Sequence, residues 1–161
     1  MRGFSILSLL ALLVVPTRTA RGQLYMGAGY SSYDLSGTGS TWVAAARYTS
    51  RISGPLHTEI GATLFGYNTQ FGEATTYLFP EASLVLKPAR GSIRPFLAAG
   101  AGILVAFAGP GGGELTLHGA GGLDLPVNER WGIRGEFRVR SVDPFGGVTA
   151  DVTFGPTIRL R

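Results

Sequence analysis

The sequence predicts an all-β protein: an eight-stranded antiparallel up-and-down transmembrane β-barrel that follows an N-terminal signal peptide. Three observations support this fold class. Segments of roughly ten residues alternate apolar and polar side chains, and turn-forming residues separate them. In several segments the charged residues all lie on one face, and the opposite face has none. Finally, only 15% of the residues are charged, whereas roughly 25% is usual in soluble domains.

The N-terminal segment has the features of an export signal. Arg2 supplies the positive start, Phe4–Val15 is apolar and rich in Leu, and Ala20–Gly22 fits the small-x-small cleavage pattern. The alternative is an uncleaved membrane anchor, which the short apolar run disfavours. We therefore expect a signal peptide at 1–22 and a single β-barrel domain at 23–161.

Composition excludes several classes of function. The chain has no Cys, so neither a disulfide scaffold nor a thiolate site is possible. The formal charge of +4 falls to +1 once the three arginines of the signal peptide are removed. Such a small net charge does not predict a basic binding face, so no nucleic-acid partner is expected.

The mature part keeps a period of two, which alternates side chains between the faces of a strand, and shows no sustained helical period. The predicted strands, in order, are 23–33, 41–50, 56–67, 76–86, 94–106, 115–125, 131–140 and 148–161. Pro80 makes the fourth strand the least regular, because proline lacks the amide donor of a central strand.

Each strand has one face without charge. Two residues represent the uncharged face of each strand. In strand order these pairs are Leu24 and Met26, Trp42 and Tyr48, Ile60 and Leu64, Ala82 and Leu84, Leu97 and Ile103, Leu117 and Leu123, Trp131 and Phe137, and Val152 and Phe154. The opposite faces carry Arg47, His57, Glu59, Glu81, Asp124, Arg134, Glu136, Arg138, Asp151 and Arg159.

Strand length favours a membrane barrel over a soluble one. Transmembrane strands need about 9 to 11 residues, and single-chain bacterial barrels begin at eight strands. Strands of soluble sandwiches usually have about five or six residues. A soluble lipocalin-like binder remains the alternative; it would place the apolar faces inside and many Lys and Glu outside, whereas Lys87 is the only Lys of the chain.

Three stretches resemble the OmpA/OmpX-like group of small outer-membrane β-barrels of Gram-negative bacteria. They are Arg94–Ile103, Gly119–Leu125 and Trp131–Arg140, which follow a loose order of Pro-aromatic, Gly-x-Gly and Arg-x-Glu-aromatic-Arg. The resemblance implies a bacterial outer-membrane location, with membrane lipids and the barrel-assembly machinery as partners. The chain departs from the group at its end, Leu160-Arg161, where an aromatic residue is usual.

The charged face predicts a network inside the lumen, in which Arg side chains bridge carboxylates so that no buried charge is left alone. A proton or ion path is the alternative reading. The predicted members are Arg47, Glu59, Glu81, Arg134, Glu136, Arg138 and Arg159.

No catalytic residue, metal site or cofactor is predicted. His57 and His118 lack the neighbouring ligands of a metal site. A lipid A esterase would need a Ser beside His118, and the sequence offers none there. The Gly-rich runs lack the Lys-Ser/Thr ending of a phosphate loop.

Aromatic residues on the apolar faces predict where the barrel meets the membrane surfaces. We expect Trp42, Tyr48 and Trp131 at the membrane–water interfaces. With the N-terminus periplasmic, the connections at 34–40, 68–75, 109–114 and 143–147 face outward, and all are short. The sequence thus favours a non-enzymatic barrel with a structural or surface-contact role in the envelope. The alternatives are a narrow porin-like channel and a lipid A-modifying enzyme. The oligomeric state is not predicted.

Overall fold

A computed structural model describes residues 22–32, 39–68, 74–88, 90–106, 113–142 and 147–160. These residues form eight β-strands, each 11 to 14 residues long. In order they are β1 (Gly22–Ser32), β2 (Ser40–Ser53), β3 (Leu56–Asn68), β4 (Ala74–Leu86), β5 (Arg94–Ala106), β6 (Gly113–Pro126), β7 (Trp131–Val142) and β8 (Gly147–Arg159).

The strands form a closed antiparallel barrel. Each strand pairs with the next along the chain, and β1 also pairs with β8, which closes the sheet. Closure matters because an open strand edge has backbone groups that hydrocarbon cannot solvate. The predicted eight-stranded antiparallel barrel is therefore confirmed. The predicted signal peptide lies, except for Gly22, outside the described residues and stays a prediction. Among the described residues, no helix is long and apolar enough to cross a membrane.

The two ends of the barrel differ in their connections. We call the end with the connections β2–β3, β4–β5 and β6–β7 the turn end; it also holds the start of β1 and the end of β8. The opposite end is the loop end, and most of its four connections lies outside the described residues. At the turn end β2 runs to Ser53, beyond the predicted end at residue 50, through a register shift between Arg51 and Ser53. Gly54 then turns the chain with a φ of 51°.

The irregularity expected at Pro80 lies on one side of β4. Pro80 belongs to the strand and pairs with Ala62 of β3. Toward β5 the paired register stops after Leu78 and resumes at Glu81 without a shift. A proline has no amide hydrogen to donate to the ladder, so the strand is interrupted rather than ended.

The faces of the barrel are inverted relative to a soluble protein. Large apolar side chains cover the outside, as the 67% exposed Leu97 and the 62% exposed Phe154 illustrate. The inside holds the charges, and Arg134 and Arg138 are each only 1% exposed. This arrangement suits a barrel surrounded by lipid and excludes the lipocalin-like reading, which needs an apolar interior.

Two apolar clusters lie inside the barrel, one toward each end. Toward the loop end Val43, Phe65 and Phe79 pack together, and the rings of Phe65 and Phe79 stack with centroids 5.2 Å apart. Toward the turn end Phe96 packs with Val85 and Ala98. The charged layer lies between these clusters.

Glycines let strands and side chains approach closely in this small barrel. A Cβ on Gly100 would lie 2.0 Å from the carbonyl oxygen of Ala82 and 2.8 Å from Nε2 of His118. At Gly119, by contrast, a Cβ would have no atom within 4 Å. Glycine is therefore required at the first position for steric reasons, and the second position has room for a side chain.

Candidate functional site in the barrel lumen

The strands direct eight charged side chains into one layer of the lumen. Strand β7 supplies every second residue from Arg134 to Arg140, and β2, β3, β4 and β8 supply one residue each. All eight are buried, with at most 6% of any residue exposed. The members are Arg47, Glu59, Glu81, Arg134, Glu136, Arg138, Arg140 and Asp151.

Glu136 lies at the centre of this layer. Its Oε1 accepts hydrogen bonds from Nε of Arg47 at 3.0 Å and from Nε of Arg138 at 2.8 Å. Its Oε2 accepts one from a terminal nitrogen of Arg134 at 2.5 Å. Three guanidinium groups from two strands therefore share one carboxylate, which gives charge-assisted bonds on both of its oxygens.

The other two glutamates complete the connections. Glu59 accepts from Arg134 at 2.8 Å and from Arg138 at 3.0 Å. Glu81 accepts from Arg47 at 3.0 Å and from Nε of Arg140 at 2.5 Å. Each glutamate thus contacts more than one arginine.

The layer is electrically balanced, because four arginines face four carboxylates. The fourth carboxylate belongs to Asp151, which accepts from Arg140. Aromatic rings next to the layer add cation–π contacts: the guanidinium carbon of Arg134 lies 3.9 Å from the ring centroid of Phe96, and that of Arg140 lies 4.9 Å from that of Phe79. A buried ion network is tolerated only when its charges are paired in this way.

The structure brings six of the seven predicted lumen residues together. Arg159 is the exception, and its prediction as a network member was wrong. It is the last residue of β8, at the turn end, where a terminal nitrogen donates to the carbonyl oxygen of Glu129 at 3.4 Å. The period of two gives the face of a side chain correctly but carries no information about its height in the barrel.

The predicted network omitted Arg140 and Asp151. Both had a signal in the sequence. Arg140 continues the alternation of Arg134, Glu136 and Arg138, and Asp151 is a lone carboxylate on the charged face of β8. The contact between Arg140 and Asp151 depends on the register of β7 and β8, which places Asp151 opposite Arg138 and therefore diagonal to Arg140.

The three predicted interface aromatics lie on the outer face; Trp42 and Trp131 lie near an end of their strands, and Tyr48 is the ninth of the 14 residues of β2. Trp131 is the first residue of β7 at the turn end and is 48% exposed. Tyr48 pairs with Leu24, the third residue of β1. Trp42 lies toward the loop end and is 54% exposed. Contact with a membrane surface remains a prediction for all three.

A second charge pair lies beneath the turn end. Lys87, just after β4, donates from Nζ to Asp124 at 2.5 Å and to the side-chain oxygen of Gln23 at 2.6 Å. Burial lowers the pKa of the Lys87 ammonium, and the charge of Asp124 opposes that shift. A small, partly open recess lies nearby. Its lining includes Gln23, Arg94, Asp124, Thr157 and Arg159.

A serine that the sequence did not associate with His118 lies beside it. Oγ of Ser83, on β4, is 2.7 Å from Nε2 of His118, and Nδ1 of the same ring is 3.5 Å from Oε1 of Glu81. These are the residue types of a Ser-His-acid triad. However, Nδ1 makes no hydrogen bond within the described structure, and both oxygens of Glu81 accept from Arg140. The group is also buried in the lumen.

Metal binding finds no support in the described residues, since they contain no group of three His, Asp or Glu side chains placed to hold an ion. His57 lies apart from His118, and its Nδ1 is 3.0 Å from the carbonyl oxygen of Pro55.

No protein-family model and no curated protein matches the chain. Solved structures do. Neisserial surface protein A is similar over 88% of this chain and 97% of its own, with 14% identity and a TM-score of 0.68. Ail, the attachment invasion locus protein of Yersinia pestis, is similar over 87% and 99%, with 14% identity and a TM-score of 0.58. The outer-membrane enzyme PagL is similar over 88% and 100%, with 14% identity and a TM-score of 0.53.

These similarities establish the fold. The chain has the architecture of the small eight-stranded outer-membrane β-barrels, and that architecture, with its apolar exterior, points to the bacterial outer membrane. Because an enzyme shares the fold, the fold alone does not separate enzymes from non-enzymes.

Proposed function

We propose that this chain is a non-enzymatic outer-membrane barrel with a structural or surface-contact role in the cell envelope. The observation that carries the proposal is the charge-balanced layer in the lumen. Its arginines and carboxylates are joined to one another, and the largest of them are less than 2% exposed. Charged side chains that are paired with one another in this way stabilise a barrel rather than receive a solute or substrate.

The apolar cluster toward the loop end supports the same proposal. Phe65 stacks on both Tyr77 and Phe79, with ring centroids 5.3 and 5.2 Å apart. This aromatic group lies above the charged layer, and an eight-stranded barrel has an interior just wide enough for its side chains. The porin-like channel is therefore the weaker alternative.

Deletion of the gene, followed by complementation, tests the structural role. We expect the deletion to increase uptake of an apolar fluorescent dye through the outer membrane, and expect the wild-type chain to reverse the increase. The purified barrel in a planar bilayer should show no discrete conductance steps. Unchanged dye uptake in the deletion strain would contradict the structural role, and steady conductance steps would favour the channel.

A lipid A-modifying hydrolase is the second candidate, favoured by the 2.7 Å contact between Ser83 and His118. A catalytic serine would need access to lipid, whereas Ser83 is 7% exposed and lies on the inner face. Mass spectrometry of lipid A decides between the two. We expect identical lipid A from cells that express the wild-type chain and from cells that express Ser83→Ala. Loss of acyl chains with the wild type alone would establish the hydrolase.

A further inference from the structure

The charges outside the lumen layer are divided between the two ends of the barrel. The stretches that join strands at the loop end contain Asp34, Glu73 and Asp143 in the sequence, and Glu114 is the second residue of β6. Neither Lys nor Arg occurs in those stretches. The lumen layer and the signal peptide contain seven of the basic residues. The others lie at the turn end, apart from Arg161, the last residue of the sequence.

At the turn end five arginines form a rim. They lie in or next to every turn and at the end of β8. Once the Lys87–Asp124 pair is set aside, the exposed Glu129 is the one carboxylate that opposes them, which leaves a formal charge of +4 at this end among the described residues. The rim arginines are Arg51, Arg90, Arg94, Arg130 and Arg159.

Hydrogen bonds anchor the rim without neutralising it. Nε of Arg51 donates to the carbonyl oxygen of Gly54, and Nε of Arg94 donates to that of Gly91, both at 3.1 Å. These acceptors are uncharged backbone groups within the same turns. The guanidinium groups of Arg51 and Arg94 are thereby oriented, and no carboxylate takes part in these two bonds.

Exposed apolar residues stand next to the rim arginines. Ile52 follows Arg51 and is 54% exposed, and Ile93 precedes Arg94 and is 59% exposed. Trp131 follows Arg130 and is 48% exposed. Apolar side chains next to cations are suited to the boundary where acyl chains meet phosphate groups.

We propose that the rim of the turn end binds the phosphate groups of anionic phospholipids in the leaflet that surrounds it. Charge complementarity selects this partner. Arg51, Arg90 and Arg130 are exposed, Arg94 and Arg159 line the recess beside Asp124, and one exposed carboxylate opposes the five. Such an excess of cations attracts anionic lipids, and the apolar neighbours remain among the acyl chains. The acidic loop end should show no such preference.

The two tryptophans of the chain report on the two ends separately. Trp131 lies at the turn end, and Trp42 lies toward the loop end. Trp42→Phe leaves Trp131 as the sole emitter, and Trp131→Phe leaves Trp42. Each variant is folded into phosphatidylcholine vesicles that contain a minor fraction of brominated lipid. Bromine quenches tryptophan at short range, so quenching measures how often the brominated lipid is the neighbour.

We expect brominated phosphatidylglycerol to quench Trp131 more than the same fraction of brominated phosphatidylcholine does. At low salt, each engaged arginine should favour the anionic lipid over phosphatidylcholine as a neighbour by about fivefold. The preference should shrink in high salt, which screens exposed charges. For Trp42 the two brominated lipids should quench equally. Equal quenching of Trp131 by the two lipids would overturn the proposal.

Changes at the rim identify the charges responsible. In the Trp42→Phe background, Arg130→Gln with Arg159→Gln should reduce the preference at Trp131. The pair Arg130→Lys with Arg159→Lys keeps the charge and should preserve it. The two positions adjoin, since the Arg159 amide donates to the Arg130 carbonyl oxygen at 2.8 Å. A preference that persists in the Gln pair would contradict the assignment to the rim. The proposal does not depend on the envelope role, because it is measured in vesicles without cells.

Discussion

Replacing Glu136 by Gln tests whether the balanced charges of the lumen stabilise the barrel. The change keeps the shape of the side chain and removes its charge, which leaves four arginines facing three carboxylates. It also places an amide donor where Glu136 Oε1 and Oε2 now accept hydrogen bonds from Arg47, Arg134 and Arg138. Removing one partner from a buried ion pair costs about 3–5 kcal/mol. We expect a loss of that size in the free energy of unfolding.

Urea unfolding of the barrel in lipid vesicles, followed by tryptophan fluorescence, measures this loss. Glu114→Gln is the matched control, because Glu114 is an exposed carboxylate at the loop end and not a member of the charged layer. The control should leave the unfolding midpoint nearly unchanged. If Glu136→Gln unfolds at the same urea concentration as Glu114→Gln, the lumen pairs do not stabilise the barrel and the reasoning fails.

A double variant separates charge balance from the loss of single contacts. Arg138→Gln alone leaves an excess carboxylate in the lumen and should also destabilise the barrel. Combined with Glu136→Gln it restores equal numbers of charges. The double variant should therefore lose less stability than the sum of the two single losses, by about 1–3 kcal/mol. Strict additivity would show that the two residues, whose Nε and Oε1 lie 2.8 Å apart, act independently.

Further predictions use the same unfolding assay. Gly100→Ala forces a Cβ against the carbonyl oxygen of Ala82 and should lower the free energy of unfolding by about 1–3 kcal/mol. Gly119→Ala should change it little, and equal losses for the two variants would contradict the packing described. Phe79→Ala removes a stacked ring from the lumen and should cost about 3–5 kcal/mol; a loss below that of Gly119→Ala would refute the tight packing. Lys87→Met leaves the buried carboxylate of Asp124 without its cation and should destabilise the barrel, and an unchanged midpoint would contradict the role of that pair.

The alternation of side chains was sufficient to predict the barrel and its two faces. A period of two assigns each residue to a face, and the separation of charged from apolar faces identified which side meets lipid. Pro80 showed the limit of a local rule. The sequence marked the strand as irregular, but the location of the interruption, on the β5 side, depends on which neighbour needs the missing amide.

The lumen network was only partly predictable. Arg47, Glu59 and Glu136 were placed on the correct face, but alternation does not tell how high each residue lies in the barrel. Arg159 shares the face and lies at the turn end, away from the layer. The tilt and register of the strands determine height, and they arise from closure of the whole sheet.

The contact between Ser83 and His118 was missed for a related reason. The two residues are 35 positions apart and lie on β4 and β6, which are not neighbouring strands. The search for a triad considered residues near His118 in the sequence. In a barrel this small, side chains from non-adjacent strands meet across the lumen, and no local pattern records that meeting.

The mobility of the chain in SDS gels tests the central claim, a closed barrel in the outer membrane, most directly. The outer-membrane fraction is loaded with and without boiling, because closed membrane barrels often stay folded in SDS until they are heated. We expect the chain in that fraction, with a band whose mobility changes on boiling. Glu136→Gln should lose the band of the folded barrel at a lower temperature than the wild type. Free protein in the periplasm, or the same mobility before and after boiling, would contradict the claim.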